Sequence, residues 1–288
     1  MRSALWSLAV LALAANCGNA GPSLQSQSPS APTAATYLGF DRNEYPGDGN
    51  LGGLRRTFSY TGYWLNTPPG AASNTWLGRR RAVEAAGLGF LILFNGRLDT
   101  DLKKLPDASA LGKSDAGAAV AAARHEGFPA GAIIFLDQEE GGRMLPEQRA
   151  YIHAWVDGVN GSGFRAGIYC SGIAAPEAKG VPVVTAEDIR ENAGGRNIVF
   201  WVANDACPQS PGCAFPKPAP APSRSGVAFA DVWQFAQSPK RRGAAACPAN
   251  YDPDGSCYPP GVARDTRLFV DLNTARSDDP SRGRSGAR

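Results

Sequence analysis

Histidine is almost missing from this chain: among 288 residues only His125 and His153 occur, both in segments whose pattern predicts helix. Neither has a Cys partner nearby, and no group of His, Cys or carboxylate side chains shows zinc-like spacing. Metal chemistry and a Cys–His nucleophile are therefore disfavoured, and no metal or cofactor is expected. Long apolar runs are missing too. The run from Ala4 to Ala15 falls well short of the roughly 20 residues needed to cross a bilayer, so no transmembrane segment is expected. Concentrated charge is also absent. The formal net charge is +3, and the short basic runs Arg79-Arg80-Arg81 and Lys240-Arg241-Arg242 read as solvated positions, which argues against nucleic-acid binding.

What the N-terminus does have is the form of an export signal. Met1 and Arg2 precede the Leu- and Ala-rich run, and Gly18-Asn19-Ala20 supplies small residues for cleavage, so residues 1 to 20 read as a signal peptide. The alternative, lipoprotein processing at Cys17, is less favoured because Asn16 stands where a small residue belongs. A secreted or periplasmic protein is expected, in a compartment where disulfides persist. Six cysteines become five once Cys17 is lost. Cys207 and Cys213 bracket one short loop and Cys247 and Cys257 another, so pairing within each loop is the simplest connectivity. Cys170 is left over in an apolar run, where a buried free thiol is expected.

Residues 21 to 35 are mainly Ser, Pro, Ala and Gln, and residues 276 to 288 are rich in Arg, Ser, Gly and Asp. Neither stretch has the apolar surface to offset the entropy of ordering, so a disordered linker and a disordered tail are expected. Between them, residues 36 to 275 make one domain of about 240 residues, close to the length typical of a (β/α)8 TIM barrel. Its pattern agrees, with short apolar runs alternating with helix-like segments. The strand candidates are Tyr37 to Asp41, Ser59 to Leu65, Gly89 to Asn95, Ala132 to Asp137, Ala166 to Cys170, Ile198 to Ala203, Asp231 to Phe235 and Leu268 to Leu272. Helices are expected over Trp76 to Ala86, Ser114 to Glu126 with Ser114 as N-cap, Pro146 to Val159, and Thr185 to Glu191. The long Pro- and Cys-bearing connections at 206 to 226 and 238 to 266 make the last third the least regular part.

Acids stand at or near the ends of three of these strands. The first ends in Asp41, the fourth in Asp137-Gln-Glu139-Glu140, and the last contains Asp271 and Asn273. Barrels carry their chemistry at the C-terminal ends of strands, and a desolvated carboxylate needs partners or a shifted pKa, so the three point to one shared acidic pocket. Asp137 and Glu139 are two apart and on a strand would face the same way, about 6.6 Å apart along the chain, with Glu140 facing the opposite side. Paired carboxyl groups in different protonation states are what glycosidic-bond cleavage requires. Taken alone, Asp-x-Glu at a strand end is common and more often only begins a polar loop.

The order of several short motifs adds to this. Gly39-Phe-Asp41, Phe135-Leu-Asp137-Gln-Glu139, Gly167-Ile-Tyr169, Phe200-Trp201-Val-Ala203, Val232-Trp233-Gln234-Phe235 and Val270-Asp271-Leu-Asn273 fall in order on the first and the fourth to eighth strand candidates. In this order the chain resembles glycoside hydrolase family 25, the lysozyme-type muramidases, and more closely a related glycoside-hydrolase-like domain of unknown function in secreted bacterial proteins. The resemblance implies Glu139 as general acid, Asp137 tuning it or holding a substrate acetamido group, and Asp41 and Asp271 lining the pocket. It further implies Tyr169, Trp201, Trp233, Gln234 and Asn273 as sugar-binding side chains. Two departures stand out: Arg42-Asn-Glu-Tyr-Pro-Gly-Asp48 lacks the Ser and Gln-Gly usual after the first acid, and Arg143 follows Glu139-Glu-Gly-Gly142. Two function classes follow: a hydrolase of peptidoglycan or a related amino-sugar polymer, and a barrel that binds cell-wall glycan without cutting it. In either case the partner is a glycan and a monomer is expected. An ion pair from Arg143 or Arg42 to Glu139 would favour the binder, and an open cleft with converging carboxylates the enzyme.

Overall fold

The computed structural model describes residues 35–104, 107–177, 180–206, 218–238, 257–266 and 268–286. The predicted signal peptide, all but the last residue of the predicted linker, and Cys207, Cys213 and Cys247 lie outside the described residues. In chain order the elements are β1 (Tyr37–Asp41), α1 (Asp48–Arg55), β2 (Tyr60–Trp64), α2 (Arg80–Ala85), β3 (Gly89–Asn95), α3 (Asp99–Leu102), α4 (Ala108–Glu126) and β4 (Ile133–Asp137). They continue with α5 (Pro146–Asn160), β5 (Arg165–Ser171), a small hairpin of β6 (Ala174–Ala175) and β7 (Val183–Val184), α6 (Thr185–Glu191), β8 (Val199–Ala203), β9 (Val232–Ala236) and β10 (Asp271–Ala275).

Eight strands close into an irregular TIM-like barrel in the order β1-β10-β9-β8-β5-β4-β3-β2. All of β4 is buried, as expected for a strand covered by helices outside and packed side chains inside. Inside the barrel the large rings need small neighbours: a Cβ on Gly167 would stand 2.5 Å from the Phe135 ring. Outside, α4 and α5 lie close because a Cβ on Gly112 would fall 2.3 Å from the Tyr151 carbonyl oxygen. Helix α4 begins earlier than the Ser114 cap suggests. Asp107, in an extended conformation, accepts from the Ala110 N–H at 2.9 Å, and Ser114 is an exposed position within the helix. Gly127, with φ of 80°, ends it in the left-handed conformation.

The last strand departs from the expected (β/α)8 pattern in place and direction. It spans Asp271–Ala275 rather than Leu268 to Leu272, and pairs antiparallel with both β1 and β9. A parallel strand would need a crossover back to the other end of the barrel, whereas an antiparallel one can start at the end where β9 stops. Asp271 therefore begins β10 at the same rim where Asp41 ends β1, and the two are register partners.

After β10 the chain is ordered through residue 286, contrary to the disorder its composition suggests. Asp279 Oδ1 accepts from the Phe90 N–H at 2.8 Å, Ser281 Oγ from the Ile92 N–H at 2.8 Å, and the Ser281 carbonyl from the Ile133 N–H at 2.8 Å. This segment supplies acceptors to backbone donors of β3 and β4. Buried hydrogen bonds, rather than apolar burial, hold it in place.

Candidate active site

A cleft of about 800 Å³ opens at the rim where the parallel strands end, and Asp41, Asp137, Glu139 and Asp271 all line it. Asp41 and Asp137 are each 6% exposed, while Glu139 is exposed. Asp137 is the last residue of β4, level with Tyr169 on β5, and the Gln138 N–H continues the ladder to the Tyr169 carbonyl at 3.0 Å. Glu139 follows where the strand has ended, so it projects from the first turn of the loop. Glu140 turns away from the cleft. It accepts from the Asp99 N–H at 2.9 Å and from Gln148 Nε2 at 2.6 Å, which ties this loop to α3 and α5. Burial raises the Glu140 carboxyl above its ordinary pKa, and the hydrogen bond from the Asp99 N–H pulls the other way.

Arg143 and Arg42, the two candidate partners of Glu139, are engaged elsewhere. Arg143 pairs with Glu177 at 3.3 Å and with buried Asp188 at 3.1 Å, and Arg42 pairs with Glu44 at 3.0 Å. The altered segment after Asp41 forms one wall of the cleft together with the loop after β2. Asn43 Nδ2 donates to the Pro69 carbonyl at 2.8 Å, and Trp76 Nε1 donates to the Asn43 carbonyl at 3.0 Å. Among the described residues no group of three or more His, Cys, Asp or Glu side chains is placed to hold a metal ion.

The residues named as sugar contacts divide. Tyr169, Trp201 and Gln234 line the cleft, but Trp201 is only 1% exposed and packs edge-on against Tyr169 with centroids 4.6 Å apart. Gln234 and Asn273 are buried and hydrogen-bond Asp41 at 3.0 and 2.7 Å. Trp233 does not line the cleft; its Nε1 donates to the Asn204 carbonyl at 2.8 Å. Of the cysteines predicted to pair, only Cys257 is described, and it is buried beside Phe269. Asp205 also lines the cleft. The signal for it is the one used for the other acids, a carboxylate just past an apolar strand, here Val199–Ala203 followed by Asn204-Asp205.

Residues 60–193 match the sequence model of the family described as Rv2525c-like, glycoside hydrolase-like domain. The match spans 134 of the 288 residues, just under half of the chain. The match runs from β2 past α6, so it includes Asp137 and Glu139 but neither Asp41 nor Asp271. Among solved structures, the chain is similar to an uncharacterized B. stearothermophilus protein at 19% identity and TM-score 0.50, covering 83% of this chain and 95% of that one. It is similar to the Clostridium perfringens spore cortex lytic enzyme SleM at 15% identity and TM-score 0.50, covering 88% and 70%. The Mycobacterium tuberculosis Tat-secreted protein Rv2525c aligns at 16% identity and TM-score 0.49, covering 87% and 98%. These likenesses concern the fold alone. No curated protein matches the chain.

Proposed function

We propose that this protein is an exported glycoside hydrolase that cleaves bacterial cell-wall glycan, peptidoglycan or a related amino-sugar polymer, with Glu139 as general acid. The observation that carries the reading is the state of Glu139: it stands exposed in the cleft beside Asp137, with Arg143 and Arg42 both paired to other acids. Glu139 protonates the leaving glycosidic oxygen as the bond breaks, and water adds to the sugar carbon while giving its proton to a carboxylate of the cleft. Asp137, two residues earlier, holds the acetamido group of the substrate or tunes Glu139. Asp41 and Asp271 set negative charge against the positive charge that develops on the sugar ring. Signal-peptide export would bring this chemistry to the wall, and the family match to a glycoside hydrolase-like domain supports the assignment.

The test is release of reducing ends from purified peptidoglycan and from chitin-type oligomers between mildly acidic and neutral pH. Glu139→Gln should lower turnover by about 10²- to 10⁴-fold, the usual worth of a general acid. No release by the unaltered protein, with wall binding equal in both, would replace the hydrolase with a non-catalytic glycan-binding barrel.

A further inference from the structure

Gln234 and Asn273 have the chemistry to bind a sugar, but their amide groups face protein. Asn273 Nδ2 donates to Asp41 Oδ1 at 2.7 Å, and Asn273 Oδ1 accepts from Trp201 Nε1 at 3.0 Å. An indole N–H can only donate, so Asn273 must offer it the carbonyl oxygen, and that choice turns the amide N–H groups toward Asp41. Gln234 repeats the arrangement from the neighbouring strand β9. Its Oε1 accepts from the Tyr169 hydroxyl at 2.8 Å and from Gln237 Nε2 at 3.0 Å, and its Nε2 donates to the same Asp41 oxygen at 3.0 Å. Trp201, Asn273, Gln234 and Tyr169 are all buried, so these bonds form where water competes little. Two N–H donors on one oxygen favour a carboxylate there and oppose a proton on that oxygen, and they fix the direction of the group.

We propose that Trp201 and Asn273, with Tyr169 and Gln234 in parallel, are positioning residues that hold Asp41 as an oriented carboxylate in the cleft, leaving proton donation to another acid. The proposal rests on the reading of the cleft as a glycan-cleaving site. In that setting Asp41 is a fixed negative charge beside the sugar ring. Among the described residues, the titratable and charged groups around Asp41 include Tyr60 on β2, Asp271 opposite it on β10, Arg42 and Glu44 following it, and Asp137, Glu139 and Asp205 elsewhere on the cleft lining. None of these is altered by changing the indole.

The discriminating variant is Trp201→Phe, which keeps a ring against Tyr169 but removes the N–H that dictates the orientation of Asn273. Tyr169→Phe removes one of the two donors that hold Gln234 Oε1, the other being Gln237 Nε2, and serves as the second variant, with a smaller effect expected. The carboxyl of Asp41 is followed by ¹³C NMR titration of aspartate-labelled protein, with Asp41→Asn for assignment and circular dichroism to verify the fold. In Trp201→Phe the Asp41 midpoint should rise by about one pH unit, equivalent to about tenfold weaker discrimination for the ionised form. On peptidoglycan, kcat should fall about tenfold with KM within about twofold, and the acid limb of the pH–rate profile should move up with the midpoint. An Asp41 midpoint unmoved in both variants would overturn the proposal. The NMR arm needs no turnover, so a shifted midpoint in a protein that cleaves no glycan would support the positioning role and overturn the hydrolase reading.

Discussion

A methyl group on Gly62 would stand 2.7 Å from Cβ of Asp41 and 3.3 Å from Cδ1 of Leu93, so this glycine leaves the space in which the Asp41 side chain lies. Gly62→Ala should therefore displace the carboxylate while keeping the barrel. The expected result is a loss of about tenfold or more in kcat, the usual scale for a misplaced catalytic group, with circular dichroism unchanged. Cys170 makes a different residue-level prediction. Burial pushes its thiol up to about 12, so the thiolate that would react is scarce at pH 8. Alkylation by iodoacetamide at that pH, followed by peptide mass spectrometry, should label Cys170 only after unfolding. The thiol's contribution to stability is present below the ordinary cysteine range and is lost as the pH rises toward 12.

The loop after β4 depends on Glu140, whose carboxylate meets the Asp99 N–H and Gln148. Glu140→Ala leaves those donors without their acceptor and should lower urea-unfolding stability by about 1–2 kcal/mol. Turnover should fall with it, because Glu139 loses its anchored neighbour. Strands β1 and β3 and helix α6 were legible in the sequence to the residue, since each is a short segment followed by a charged or turn-forming residue, Arg42, Gly96 and Asn192. The last strand was not. Leu268-Phe-Val270 has the apolar look of a strand centre, yet these residues are buried just before it, with Phe269 on the cleft wall beside Cys257. At the site, the acids could be read because a carboxylate after an apolar strand is a local pattern. The roles of Gln234 and Asn273 could not, because their partners lie 193 and 232 residues away in sequence.

Across the whole barrel, two features arise only on closure. One is the antiparallel β10, which places Asp271 beside Asp41. The other is the segment after β10, where Asp279 and Ser281 meet the N–H groups of Phe90, Ile92 and Ile133, and Arg80 Nη2 reaches the Gly283 carbonyl at 2.9 Å. Composition alone marks that segment as disordered because its order comes from polar groups that meet only once the barrel has formed. Truncation after Ala275 should lower the thermal midpoint by roughly 10 °C, as expected when several buried donors lose their partners at 2–4 °C per kcal/mol.

The most direct measurement of the central claim, that Glu139 is the general acid, compares Glu139→Ala on two substrates. A natural amino-sugar oligomer needs its leaving oxygen protonated, whereas an aryl glycoside with an acidic phenol needs little help. Glu139→Ala should lose about 10²-fold or more on the oligomer, with bond cleavage in the aryl glycoside far less affected. Equal losses on both substrates, or undiminished cleavage of the oligomer, would contradict the claim.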